Sequence, residues 1–355
     1  MSLDQFWYGK KVLITGHTGF KGSWLSLWLH MLGAKVCGYA LPPTGELSLY
    51  RIAQVGNHMN SFYGDVADFQ KVTQTIESFK PEIVIHMAAQ PLVLSSYQQP
   101  IETFQSNVMG TVHVLEASRH CDSVKVVLNV TSDKCYDNQG AKSEGFSEND
   151  PMGGYDPYSS SKGCSELVTN SYRNSFFIPS DKLLASARAG NVIGGGDWAE
   201  NRIMPDYVRA LLEGKDMIIR NPNAIRPWQY VLDPLNGYLA LAERMWELGA
   251  SYATGWNFGP DPESIVTVKD LIKLAVKGWP NQVKYIEGDD KAVHEAPLLT
   301  LNSSKARVKL GWTPKLRIEE TVDWTIQWYR AFAAGMDMHD FTKQQIQNFI
   351  VAKGV

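Results

Sequence analysis

Cysteine is scarce in this chain: Cys37, Cys121, Cys135 and Cys164 stand far apart, with no Cys-x-x-Cys pair. That spacing argues against a disulfide scaffold or a structural zinc site and suits buried thiols in a reducing cytoplasm. Histidines are few and scattered without metal-ligand spacing, so no metal is expected. Excess charge is also lacking, the net value being −3, with no basic run and no interleaving of basic and aromatic residues. Neither nucleic acid nor an anionic membrane is then an expected partner. The longest apolar stretch, Trp24 to Leu32, is too short to cross a bilayer. The first residues lack the charged start and apolar core of a signal peptide. No internal repeat, low-complexity segment or linker interrupts the chain.

What is present is an ordinary globular composition, 44% hydrophobic and 20% charged over 355 residues. That length suits one large or two modest domains. Val12-Leu13-Ile14 reads as a buried strand, Gly16, Gly19 and Gly22 as a turn, and Ser23 to Leu29 as a helix. Strand, glycine turn and helix make a dinucleotide-binding unit. Gly16 permits the tight turn, Gly19 lets backbone N–H groups approach a pyrophosphate, and Gly22 lets helix pack on strand. The phosphates would meet the positive end of the helix dipole.

Strand and helix patterns then alternate. Strands are predicted at 34–39, 59–63, 81–87, 124–130 and 183–189, and helices at 69–79, 101–120 and 157–176. Such alternation predicts an α/β fold with a doubly wound, Rossmann-type parallel sheet. Beyond Gly190 the rhythm loosens, with helices expected at 201–213, 234–248, 268–279 and 319–332. Residues 1–190 are therefore expected to form the dinucleotide-binding domain and 191–355 mainly a smaller α/β lobe. Segments near 226–260 and 315–335 are expected to pack back onto the first domain.

Tyr158 and Lys162 stand four residues apart at a helix start, which puts both on one face. A phenol with an ordinary pKa near 10 is a poor base at neutral pH, but an adjacent ammonium and a positive nicotinamide favour its phenolate. On their own the two residues suit an amphipathic surface helix equally well. The segment Asn129 to Lys134 shifts the balance, because Thr131, Ser132 and Asp133 leave a buried strand at its carboxyl end. Open α/β sheets bind their ligands at that edge. Ser132 can hydrogen-bond the sugar oxygen that Tyr158 deprotonates.

The glycine triplet, Gly64-Asp65, His86-Met87-Ala88-Ala89, Asn107-Val108, Gly110-Thr111, Ser132 and the Tyr158/Lys162 pair occur in this order at these spacings. Together they resemble the extended short-chain dehydrogenases/reductases over nearly the whole chain. Residues 16–25, 86–93, 131–138, 151–167, 188–199 and 225–235 more narrowly resemble the CDP-glucose 4,6-dehydratases within that family. The resemblance implies NAD as cofactor and CDP-glucose as substrate. It implies that Gly16, Gly19 and Gly22 hold the pyrophosphate beside Phe20, with His17 and Lys21 flanking it. His17 otherwise reads as an exposed turn residue. Asp65 and Val66 would border the adenine, and Ala88, Ala89 and Gln90 would line the groove. Asn107 would support the catalytic group formed by Ser132, Tyr158 and Lys162. Asn191, Arg202 and Arg226 would face the sugar diphosphate, a guanidinium fork suiting phosphate.

The implied reaction oxidises C4, expels water across C5 and C6, and restores the cofactor. Tyr158 would take the C4 hydroxyl proton and Asp133 would protonate O6. Related TDP-glucose dehydratases carry a glutamate as the C5 base after this aspartate, where this chain has Lys134. Lys134 is then either a desolvated, basic amine or a cation that polarises the ketone. A second departure lies after strand two, where Tyr39-Ala40-Leu41-Pro42 offers no carboxylate for the adenosine ribose. A nucleotide-sugar 4-epimerase, or a dehydratase using another nucleotide, is the alternative, and a silent dinucleotide sensor is a weaker one. No residue can be shown by spacing to read the base; its selection is expected between Asn191 and Arg226 and near His294-Glu295. Gly194 to Trp198 reads either as a hinge or close approach to substrate or as an ordinary glycine loop. Helices 101–120 and 157–176 carry more apolar positions than one sheet face needs. In the family such helices pair between subunits as a four-helix bundle, implying a homodimer and leaving a tetramer open.

Overall fold

Alternate residues of one buried strand serve two apolar layers, and that division organises the molecule. In the computed structural model, which describes residues 3–140, 142–219, 221–279, 285–287 and 298–352, Val12 and Ile14 join one core cluster while Leu13 joins another. The two-residue period of a strand requires this of any sheet covered on both faces.

The strands are β1 (Lys11–Thr15), β2 (Lys35–Ala40), β3 (Asn60–Tyr63), β4 (Ile83–His86), β5 (Val126–Val130) and β6 (Leu183–Ala189), followed by β7 (Asn191–Ile193), β8 (Met217–Ile219), β9 (Ile225–Tyr230), β10 (Gly255–Phe258), β11 (Ile265–Thr267) and β12 (Tyr285–Glu287). Seven of them form one sheet in the order β10-β6-β5-β4-β1-β2-β3, with every neighbouring pair parallel. This is the doubly wound α/β sheet that the sequence predicts. Its seventh strand comes from the second half of the chain, β10 pairing with β6 from Gly255↔Ser186 to Phe258↔Ala189. A small sheet β11-β9-β7 and a pair β12-β8 form outside it.

Helix Phe20–Met31 is buried almost throughout, with Trp24 and Trp28 in the larger core. Helices Leu232–Leu248 and Ile318–Ala333 close the same face. A helix at Met338–Val351, which the sequence pattern does not announce, adds Phe349 to that layer and is N-capped by the Asp337 side chain. The two long helices expected at 101–120 and 157–176 both change pitch. Wide π-helical turns occupy Gln105–Met109 and Arg173–Phe177, features frequent at functional sites. Among the described residues no helix is long and apolar enough to cross a membrane.

The close contacts come from glycine. A Cβ on Gly22 would lie 2.1 Å from the Gly16 carbonyl oxygen, and one on Gly195 would lie 2.0 Å from the Trp328 ring. Gly195 O also accepts from Trp24 Nε1 at 3.0 Å, so the Gly194–Trp198 loop packs against tryptophans. We expect Gly22→Ala to cost about 1–3 kcal/mol, because backbone rather than a flexible side chain must yield. Urea denaturation measures this, and parent-like stability would show that helix and turn do not meet closely.

Candidate active site

The carboxyl ends of β1, β4, β5 and β6 open onto a cavity of about 610 Å³, within the range of small-ligand sites. The Gly16–Gly22 turn, Lys21, Asp65, Val66, Ala88 and Ala89 line one side, and Asn191, Arg202, Arg226 and Trp228 line the other. Gly16 takes a left-handed φ of 79°, and its N–H donates to Tyr39 O at 2.9 Å. A Cβ there would lie 2.8 Å from Ala88 N. Gly19 caps helix Phe20–Met31 without any side-chain cap, leaving first-turn N–H groups for a ligand. This bare, positive cradle fits a dinucleotide pyrophosphate.

Between the two sides lies the turn that leaves β5. Ser132 Oγ accepts from Lys134 N at 3.3 Å and donates to Asp133 Oδ1 at 2.9 Å. Asp133 is only 5% exposed. Burial raises its carboxyl above the ordinary range, against the opposing pull of Lys134, Ser132 and Lys21. A carboxyl raised in this way is suited to donate a proton. Lys134 lines the cavity but is only half-buried.

Helix Pro157–Tyr172 begins beside this turn, capped by Asp156, whose carboxylate accepts from Ser159 N and Oγ at 2.9 and 2.6 Å. Tyr158 and Lys162 are both buried and both line the cavity. Burial pushes the Tyr158 phenol up to about 12, against a hydrogen bond with Ser132. The same effect, with Lys21 adding repulsion, pushes the Lys162 ammonium down to about 8. The spacing of the pair predicts support for phenolate; in the protein alone, burial outweighs it and the phenol stays protonated at neutral pH. Lys21 is likewise pushed down to about 8 by burial and Arg202, against Asp133. Desolvation of an amine in this cavity therefore falls on Lys21 and Lys162.

Two expected cavity residues lie elsewhere. His17 is fully buried behind the turn, its Nε2 lying 2.7 Å from Ser61 Oγ and its ring edge-on to Tyr50. The space it fills exists because residue 38 is glycine, where a Cβ would lie 2.2 Å from the imidazole. Burial pushes His17 down to about 4, so it neither flanks a phosphate nor sits exposed. Gln90 turns from the groove to the helices: its N–H donates to Asn107 Oδ1 at 2.8 Å and its Nε2 to Thr103 Oγ1 at 2.9 Å. Asn107 in turn donates to Ser161 Oγ at 2.9 Å, so it braces the Tyr158 helix from below.

Phe20, Asn191, Arg202 and Arg226 all reach the cavity, Arg202 pairing with Asp197 at 3.1 Å. The segment near His294 and Glu295 lies outside the described residues. Sequence reasoning misses Asp197 and the buried Glu166–Arg188 pair beneath the Ser132 turn. One signal exists for the pair, since Tyr158, Lys162 and Glu166 recur every fourth residue on one helical face. Among the described residues no cluster of His, Cys, Asp and Glu could hold a metal ion.

A cation kept from water costs stability, and the attraction of Glu166 offsets only part of that cost at Lys162. The contribution of Lys162 is complete above its ordinary pKa of 10.5 and is lost as pH falls through about 8. We expect Lys162→Met to raise unfolding stability at pH near 7 by roughly 3 kcal/mol. The advantage should shrink as pH rises toward 10. Urea titrations of both proteins test this, and a pH-independent difference would contradict it.

The family described as GDP-mannose 4,6 dehydratase matches residues 13–325. A CDP-glucose 4,6-dehydratase of Salmonella typhimurium is 50% identical over 352 residues, covering 98% of each chain. A human dTDP-D-glucose 4,6-dehydratase is 28% identical over 336 residues, covering 91% of each chain. Among solved structures, the Thermus thermophilus UDP-glucose 4-epimerase complex with NAD superposes with a TM-score of 0.78 at 22% identity, covering 90% of this chain and 98% of that one. A Streptomyces venezuelae dTDP-glucose 4,6-dehydratase with bound NAD gives 0.77 at 20% identity, covering 92% and 99%; at such identity these two likenesses show the fold alone. The extent of the family match and the half-identical relative lead to one conclusion: the chain belongs to the GDP-mannose 4,6-dehydratase family of extended short-chain dehydrogenases/reductases.

Proposed function

We propose that the protein converts CDP-glucose to CDP-4-keto-6-deoxyglucose, using NAD as a cofactor that ends each turnover in its starting redox state. The observation that carries this reading is Asp133: a buried carboxyl with a raised pKa stands beside Ser132 and Tyr158 in one cavity. A 4-epimerase needs the serine and tyrosine but no such acid. The half-identical dehydratase named for CDP-glucose supports the choice of nucleotide. The bare glycine cradle, which a Cβ at Gly16 or Gly22 would fill, supports the cofactor.

Gly16, Gly19, Phe20, Lys21 and Gly22 would hold the cofactor pyrophosphate, Asp65 and Val66 would border its adenine, and Ala88 and Ala89 would floor the groove. Asn191, Arg202 and Arg226 would hold the sugar diphosphate. Bound there, NAD would supply a two-electron store, filled by hydride from C4 and emptied at C6 as C5 regains a proton from solvent. Tyr158, once ionised by the positive charge of Lys162 beneath it and of the bound cofactor, would take the C4 hydroxyl proton, oriented through Ser132. The 4-ketone acidifies C5–H. As that proton leaves to solvent, the C6–O bond breaks and Asp133 donates its proton, so the hydroxyl departs as water. Lys134, still partly hydrated, serves as a cation for the enolate oxygen rather than as the base.

Residues 1–190, with the segments that pack back onto them, would hold the cofactor, and 191–355 mainly the nucleotide sugar. The free thiols of Cys37, Cys121, Cys135 and Cys164 suit a cytoplasmic enzyme. Ile101 (72% exposed) and Leu167 (60% exposed) stand on the two helices expected to pair with a second copy. A groove lined by Pro100, Phe104, Val108 and Met109 lies between them. A homodimer through a four-helix bundle would cover this face.

Incubation with NAD and a panel of CDP-, dTDP-, UDP- and GDP-glucose should give an alkali-absorbing 4-keto sugar from CDP-glucose, whereas CDP-galactose would contradict the reading. Asp133→Asn should retain C4 oxidation but lose product formation by ~10²–10⁴-fold. Lys134→Met should slow exchange of the C5 proton with solvent by on the order of 10²-fold; near-normal exchange would remove Lys134 from the mechanism. Ile101→Asp with Leu167→Asp should convert a dimer to monomer in light scattering, and an unchanged mass would place the interface elsewhere.

A further inference from the structure

One buried cluster takes no part in the chemistry assigned so far. Glu166 lies one turn beyond Lys162, and Arg188 lies on β6; each is only 4% exposed. Arg188 Nε and Nη2 donate to Glu166 Oε1 and Oε2 at 2.9 and 2.7 Å, a bidentate pair. The carboxylate also accepts from Thr131 Oγ1 at 2.5 Å and Ser186 Oγ at 2.7 Å. Arg188 Nη1 donates to the Tyr136 hydroxyl at 2.6 Å, which itself donates to Asn257 Oδ1 at 2.7 Å. Asn257 is fixed in turn, its Nδ2 donating to Phe146 O at 2.8 Å and its N–H to Glu148 Oε1 at 3.0 Å.

The targets of this pair are not arbitrary. Thr131 immediately precedes Ser132, and Tyr136 follows Lys134 by two residues. The ion pair therefore grips both ends of the turn that carries Ser132, Asp133 and Lys134. A buried pair is weak evidence for stability, since well-packed apolar residues often replace one at no loss. Its value lies in geometry, because a planar guanidinium fork on a carboxylate whose two oxygens each accept two hydrogen bonds admits one arrangement. Tyr158 has separate support: its helix is capped by Asp156 and braced by Asn107 at Ser161.

We propose that Glu166 and Arg188 are positioning residues for the loss of water, holding Asp133 against the C6 hydroxyl by clamping Thr131 and Tyr136 while touching no substrate. The proposal rests on the dehydratase reading above. It divides the site into two parts, with C4 oxidation depending on the Tyr158 helix and elimination on the clamped turn. Displacement of a catalytic group by about 1 Å can cost ~10²-fold in rate.

The test uses Thr131→Val and Tyr136→Phe, which each remove one hydroxyl but leave the ion pair in place, so folding is retained. Glu166→Gln, which strands Arg188, is the severe variant, and Thr131→Ser is the rescue. C4 oxidation is read from reduced-nicotinamide absorbance in a single turnover with CDP-glucose, and elimination from the 4-keto-6-deoxy product. We expect product formation to fall about 10- to 100-fold in kcat with KM unchanged. C4 oxidation should stay within about 3-fold, so that reduced cofactor accumulates, and Thr131→Ser should restore the parent rate. Equal loss in both steps, no loss in either, or a serine variant no better than valine would overturn the proposal. A parent enzyme inert toward CDP-glucose would overturn the dehydratase reading, and the proposal with it.

Discussion

Positive charge kept from water at the carboxyl edge of a parallel sheet is the constraint that the rest of this molecule serves. Lys21 and Lys162 face one cavity with Arg202 and Arg226 across it, and burial pushes both lysines down to about 8. Such an edge is uncomfortable in the protein alone and complementary to a ligand that carries diphosphates. The sheet, the glycine turn and the second lobe are the means of keeping it dry. Gly16 and Gly22 bring the first helix to backbone contact with the turn, and Asn191, Arg202 and Arg226 close the cavity from the far side.

Burial moves two weak acids within this basic site in the same direction. Tyr158 stays a phenol, and the Asp133 carboxyl is raised above the ordinary aspartate value. Their roles separate only when substrate and cofactor change the charge around them. Glu166 does the reverse. Burial alone would raise its pKa, yet Arg188, Thr131 and Ser186 hold it below the ordinary carboxylate range. The same catalytic helix thus presents a phenol, an ammonium and a carboxylate on one face, each with its proton state set by what lies opposite.

Much of this is legible in the order of the amino acids. The apolar run Val12-Leu13-Ile14 with its three glycines, the Tyr158/Lys162 pair and the polar exit of β5 all declare themselves through local spacing. Their meeting in one cavity follows from the topology of parallel sheets. What stays hidden depends on contacts distant in sequence. His17 is buried because Gly38 leaves room for an imidazole, and no pattern around His17 records that vacancy. Gln90 serves Asn107, seventeen positions away, rather than a ligand. β10 enters the main sheet only through pairing with β6. The wide turns at Gln105–Met109 and Arg173–Phe177 do not interrupt helical periodicity enough to be seen. Arg188, a charge within a buried strand, is the plainest unused signal, because such a residue requires a partner.

Loss of water from C6 requires Asp133 to carry the proton that O6 receives, and so a carboxyl raised above the ordinary aspartate value. Carbon-13 NMR titration of its carboxyl carbon, assigned by the signal missing from Asp133→Asn, measures this directly. The account predicts a midpoint clearly above the ordinary aspartate value of about 3.9. A carboxyl that ionises at or below that value would contradict it.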